Sequence, residues 1–323
     1  MTNNTMEKIF YICPDFAPPS GGIKRLYTHV QILRDNGYDA YIVHFNKGFR
    51  LTWFDHSVPI IYLSDNPSFS SADTLVIPEV FPGLAKKLRD VPRKVVIALN
   101  PHSIFKFMDP GEDWKDYGVS WVMTNSPTIK KFIEWSMGIE NVILIGTAID
   151  RSMFYYSPGE KTHKVSYITR KDSISPIVEN ILLSRKDGQR PFEFFRIENL
   201  PIKDYAKVLR QSEIFLATSS FEGFPRSIIE AMACGCICIG FDGICGKDYI
   251  IPSGDGQNFI RVESMNFIEL AKKLEEVTKR IIKKDPLVEK IRKNAIITAS
   301  RFTAEAEKES VLGFWETYLK ATQ

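Results

Sequence analysis

Glu222 and Glu230 lie eight positions apart in the segment Phe215-Leu-Ala-Thr-Ser-Ser-Phe-Glu-Gly-Phe-Pro-Arg-Ser-Ile-Ile-Glu-Ala-Met-Ala-Cys-Gly235. This segment reads as strand, loop, helix and stop. Pro225 suits the first helical position, where its missing N–H costs nothing. Gly235 suits the helix exit. Phe224 offers no capping oxygen, so the N–H groups at this helix start lack an obvious internal acceptor. Such a helix start behind a Glu222-Gly223 turn suits an anion, and a diphosphate in particular. A carboxylate presents only acceptors and therefore grips paired hydroxyls on a sugar or a ribose. Glu230 follows Ile228 and Ile229 and points either into a cleft or to solvent. The plainer alternative is a surface helix with two solvated glutamates.

Other loops carry compatible chemistry. The first strand runs into Pro14-Asp-Phe-Ala-Pro-Pro-Ser-Gly-Gly-Ile23, where Gly21 and Gly22 let the backbone approach a ligand closely. The spacing is not Gly-x-Gly-x-x-Gly, which argues against a dinucleotide site. In Tyr167-Ile-Thr-Arg-Lys-Asp172, Arg170 and Lys171 stand at the carboxyl end of a strand. Two cations there can neutralise a leaving diphosphate, the alternative being an ordinary basic loop. His102 follows the strand Lys94–Leu99 and so stands at the edge of a cleft. A loop histidine with a satisfied hydrogen bond is the other reading.

The string Glu-Gly-Phe-Pro, four residues, then Glu-Ala-Met-Ala-Cys-Gly resembles the donor-site signature of the retaining glycosyltransferase family 4, which has the GT-B fold. The resemblance extends over essentially the whole chain, though its specificity is concentrated in residues 215–240. It implies that Glu230 holds the donor ribose and Glu222 the transferred sugar, with the backbone of Gly223 and Phe224 facing sugar and phosphates. It places the Gly21-Gly22 loop near the donor phosphates and acceptor, and His102 beside the transferred sugar. It also implies retention of the anomeric configuration and a last helix that returns to the first domain, anchored by Phe314, Trp315 and Tyr318. Many relatives have Gly-Gly-x-Pro-Glu after the next strand; this chain has Asp242-Gly-Ile-Cys-Gly-Lys-Asp248, with Lys247 and Asp248 at the end.

Some motifs are missing from the sequence. It contains no Asp-x-Asp, the metal–diphosphate handle of the other major transferase fold, so no metal is expected at the donor. It has neither a Gly-x-Ser-x-Gly elbow nor a Walker loop. Cys234, Cys236 and Cys238 alternate into an apolar run without a second ligand pair, which reads as buried core.

Elements that must position these loops follow from periodicity. KIFYIC, DAYIVH, TLVIP, KVVIAL, SWVMT and NVILI read as buried strands, bounded by turn residues. Helical patterns lie between them: Ile23, Leu26, Val30 and Leu33 share one face of a helix that Gly37 can end. After residues 150–157 the pattern restarts with KVSYIT, FEFFRI, EIFLA and CICIGF, and the chain ends in helices over 264–284, 286–300 and 303–320. Strand–helix alternation predicts parallel, doubly wound sheets. With the resemblance, the expected architecture is α/β GT-B: two Rossmann-like domains, 1–152 with 303–323 and 153–302, facing a central cleft.

The 323 residues, 44% hydrophobic and 25% charged with net charge +3, describe an ordinary globular chain. They give no argument for nucleic acid or membrane. The N-terminal apolar run stops at Pro14, too soon for a signal sequence, and five cysteines without framework spacing fit a reducing cytoplasm. The basic stretch 270–295 is either a solvated helical face or a contact for anionic headgroups at the inner membrane face. The expected activity is metal-independent, retaining transfer of a sugar from a nucleotide-sugar to an acceptor hydroxyl, with no cofactor. Polysaccharide, lipid-linked sugar, protein and modified nucleic acid all remain open as acceptors. The alternatives are a GT-B epimerase or phosphorylase, or a non-catalytic nucleotide-sugar-binding subunit.

Overall fold

The computed structural model describes residues 7–88, 91, 93–169, 174–185, 192–219 and 222–322. The chain divides into two compact units, Met1–Thr147 with Glu305–Gln323, and Ala148–Ala304.

The first unit contains β1 (Lys8–Ile12), α1 (Gly21–Asp35), β2 (Asp39–His44), β3 (Ile60–Tyr62), β4 (Thr74–Pro78), α2 (Pro82–Lys87), β5 (Lys94–Ala98), α3 (Pro101–Lys106), β6 (Trp121–Thr124), α4 (Pro127–Met137) and β7 (Asn141–Leu144). Its strands form one parallel sheet in the order β3-β2-β1-β4-β5-β6-β7. A parallel sheet covered on both faces buries nearly every strand side chain, which is why these strands read as continuous apolar runs. Ile23, Leu26, Val30 and Leu33 of α1 are buried against it, as their spacing predicts. Two elements lacked a clear sequence signal. β3 is an edge strand of intermediate burial preceded by Pro59, and α3 is only six residues long.

The second unit contains β8 (Thr162–Ile168), α5 (Ile174–Ser184), β9 (Glu193–Ile197), α6 (Ile202–Gln211), β10 (Ser212–Ala217), α7 (Arg226–Ala233), β11 (Ile237–Gly240), β12 (Ile260–Arg261), α8 (Phe267–Ile282) and α9 (Pro286–Ala299). Its sheet, also parallel, runs β12-β11-β10-β8-β9. Both sheets are therefore the doubly wound α/β type that strand–helix alternation predicts.

The last helix, α10 (Ala304–Thr322), belongs from Glu305 onward to the first unit. Val311, Phe314, Trp315 and Tyr318 enter the first unit's core, and the Trp315 indole N–H donates to the Tyr11 hydroxyl at 3.2 Å. Arg25, only 3% exposed, ties three pieces of this unit together. Its guanidinium donates to the Gly146 carbonyl at 2.7 Å and the Thr147 hydroxyl at 2.6 Å, and pairs with Glu307 at 3.6 Å.

Candidate functional site

In an open α/β sheet the ligand crevice lies beyond the strand carboxyl ends, where strand order reverses. In the second unit that reversal falls between β8 and β10. Arg170 and Lys171 follow β8 and lie outside the described residues. The loop after β10 leads through Glu222 and Gly223 into α7.

Helix α7 begins at Arg226, one residue later than Pro225 at the first helical position would give. Pro225 is the N-cap instead, and no side chain caps the helix start. The shift has a local cause: the Tyr249 hydroxyl donates to the Pro225 carbonyl at 2.8 Å, and the Arg226 N–H folds back onto the Phe224 carbonyl at 2.8 Å. Phe224 packs its ring against Tyr249 and Phe302, with centroids 5.3 and 6.0 Å away, so the turn is held from beneath. Gly223 is buried and Glu222 half-buried. The Glu222 carbonyl accepts from the Ile244 N–H at 3.3 Å, so the loop after β11 backs the Glu222 turn. Within that loop Asp242 pairs with Arg261 at 3.0 Å, Lys247 is exposed and Asp248 half-buried.

Glu230 turns inward and is 8% exposed. The Tyr205 hydroxyl on α6 donates to one carboxylate oxygen at 2.9 Å, and the Arg226 Nε donates to the other at 3.0 Å. Burial, and then the adjacent Glu230, push the Tyr205 hydroxyl well above its usual pKa, which keeps it a donor. The helix ends in a Schellman motif: the Gly235 and Cys236 N–H groups return to the Met232 and Ala231 carbonyls at 3.0 Å each. Gly235 has φ +73°, and a Cβ there would meet the Tyr156 ring at 2.3 Å. Cys234, Cys236 and Cys238 are buried free thiols. The Cys236 thiol donates to the Leu209 carbonyl at 3.2 Å, as a core cysteine would.

In the first unit the reversal falls between β1 and β4. Gly21 and Gly22 form the first turn of α1, with Ser20 as an N-cap that makes no side-chain cap bond. A Cβ on Gly22 would touch Leu99 at an ordinary 3.5 Å, which places this turn beside the end of β5. His102 is exposed in the first turn of α3, its N–H bonded to the Asn100 carboxamide oxygen at 3.1 Å. Asn100 as cap and Pro101 at the first position explain a helix there.

Two further features went unrecognised in the sequence. Glu79, directly after β4, is 6% exposed and accepts the Asn100 N–H at 3.1 Å. Burial pushes its carboxyl up to about 7, against backbone N–H groups of Glu79, Leu99 and Asn100 that pull it down. The available signal was an acid placed immediately after the apolar run Leu75–Pro78. Asp15, in the loop before Gly21, accepts from the Phe45 and Asn46 N–H groups at 3.1 and 2.9 Å and bonds His44 Nδ1 at 2.9 Å. His44 Nε2 in turn meets the Tyr27 hydroxyl at 2.8 Å. This chain of contacts staples the loop after β1 to the loop after β2.

Among the described residues no helix is long and apolar enough to cross a membrane. Residues 194–297, all in the second unit, match the family model of Glycosyl transferases group 1. The chain is 28% identical over 250 residues to an alpha-1,6-glucosyltransferase of Actinobacillus pleuropneumoniae serotype 7 (strain AP76), covering 74% of each chain. Among solved structures it is similar to sucrose-phosphate synthase from Thermosynechococcus elongatus, with TM-score 0.72 and 15% identity over 98% of this chain and 100% of the other. It is also similar to a pneumococcal O-GlcNAc transferase in complex with UDP and GlcNAc, with TM-score 0.69 and 10% identity over 99% of this chain and 100% of that one. The chain thus has the GT-B fold, and its second unit matches the Glycosyl transferases group 1 model over residues 194–297.

Proposed function

We propose that this chain moves a glycosyl group from a nucleotide-sugar to an acceptor hydroxyl, with retention of configuration and without a divalent metal. The observation that carries the reading is the start of α7: a helix N-terminus without a side-chain cap, set directly behind Glu222-Gly223, with Glu230 buried on the same helix. The helix N–H groups and the cations Arg170 and Lys171 would hold the diphosphate as negative charge develops on it. Glu230 would take the ribose hydroxyls and Glu222 the transferred sugar. Gly223, Phe224 and Pro225 would present backbone to sugar and phosphates, and Gly21 and Gly22 would let α1 approach them.

In the proposed step the acceptor oxygen bonds to the anomeric carbon while the bond from that carbon to the diphosphate breaks. The departing diphosphate accepts the acceptor's proton on the same face, so no protein nucleophile is needed. His102 would orient the sugar.

UDP-glucose is the first donor to try, because a relative is named as a glucosyltransferase and a structural neighbour was solved with UDP. Incubating the chain with a panel of nucleotide-sugars and measuring nucleoside diphosphate release tests the reading. Turnover of one donor is expected, and no release from any donor overturns it.

A further inference from the structure

The Glu230 carboxylate is already half-occupied. A carboxylate has two oxygens and about four lone-pair sites in its plane. Tyr205 takes one site on one oxygen, and Arg226 one site on the other. One acceptor site therefore remains on each oxygen, one for each hydroxyl of a vicinal diol. Both partners are themselves fixed. Arg226 sits one turn before Glu230 on the same helix, and the two side chains are only 16% and 10% exposed. Tyr205 stands on α6 with its ring edge-on to Phe154, centroids 5.7 Å apart. A long glutamate side chain would otherwise spend rotamer entropy each time it met a ligand.

We propose that Tyr205 and Arg226 are positioning residues that set the ribose specificity of the donor site, by holding Glu230 so that its two remaining acceptor sites receive the 2′- and 3′-hydroxyls. The inference rests on the ribose role proposed above for Glu230. It assigns to the pair a function that burial alone does not give: discrimination between ribonucleotides and their deoxy analogues. The contact is sensitive because it involves a charged, mostly desolvated acceptor, and losing one hydroxyl from it should weaken binding about tenfold or more.

The test uses calorimetric titration of the full chain with UDP, GDP and ADP, followed by the 2′-deoxy and 3′-deoxy forms of whichever binds best. Wild type should prefer the ribonucleotide about tenfold or more over each deoxy form. In Tyr205→Phe, which keeps the ring against Phe154, that preference should fall to within about threefold, with inorganic pyrophosphate bound as in wild type, and in Arg226→Met the preference should fall to the same extent. Arg226→Lys, whose ammonium can still reach Glu230 from one turn away, should recover part of it. A purely structural role would lower melting temperature and weaken ribo and deoxy forms equally. Folded variants that keep the wild-type preference, or a wild type without one, overturn the inference alone. Tighter nucleotide binding by Arg226→Met also overturns it, because the arginine would then be competing with the ligand. If wild type binds none of the three diphosphates, the donor reading itself falls.

Discussion

Replacing Glu79 by glutamine should reverse part of the chain's pH dependence. Glu79 is buried, and its carboxyl is raised from 4.5 to about 7 by loss of solvent. Between those two values the folded chain holds a proton that the unfolded chain has released, so stability falls as pH rises through this window. At about 1.4 kcal/mol for each tenfold change in proton affinity, the full penalty is about 3 kcal/mol, most of it incurred between pH 5 and 8. A neutral amide in place of the acid carries no such penalty. Whatever the amide gains or loses as a partner for the surrounding N–H groups is an offset that does not vary with pH. The buried imidazoles of His29 and His44, whose affinities are lowered by burial, add an opposite slope below their ordinary value of 6.5. That slope is common to both proteins and cancels in the comparison. The melting temperature of Glu79→Gln minus that of wild type should therefore rise by about 5–10 °C between pH 5 and 8. Parallel curves over that range would refute the argument that Glu79 is ionised at a cost in the folded chain.

Trp315→Ala should destabilise the first unit by about 3–5 kcal/mol, because a fully buried indole that bonds Tyr11 is lost from the core; a melt like that of wild type would mean α10 is not docked there. Glu230→Ala should weaken nucleoside diphosphate binding, while Glu222→Ala should mainly slow transfer, since the ribose is unchanged in the reaction and the sugar moves. Calorimetry and donor turnover on the two variants separate these effects, and two variants indistinguishable from wild type would remove both carboxylates from the donor site. Donor turnover should survive a chelator, with complete and metal-reversible loss as the contrary result.

Sequence periodicity was informative where burial follows a repeat. The apolar face of α1 and the continuous runs of β4 and β5 are consequences of a two-sided parallel sheet, and each strand declares them by itself. Pro225 and Gly235 likewise mark the limits of α7 through local backbone chemistry, to within one residue. What was not legible depends on partners distant in the chain. Whether Glu230 faces in or out is decided by Tyr205, on another helix 25 residues earlier. Glu79 becomes an anchor only because β4 and β5 lie side by side and bring Asn100 to it. His44 reads as an ordinary strand-end residue until Asp15 and Tyr27 close on it from two other elements.

The central claim is retaining transfer from a nucleotide-sugar, and the anomeric configuration of the first product tests it most directly. Slow transfer to water suffices for the measurement: the released sugar can be followed by proton NMR from the earliest time points, before mutarotation mixes the anomers. Retention predicts that the first sugar formed has the same anomeric configuration as the donor. An inverted sugar at those time points would contradict it.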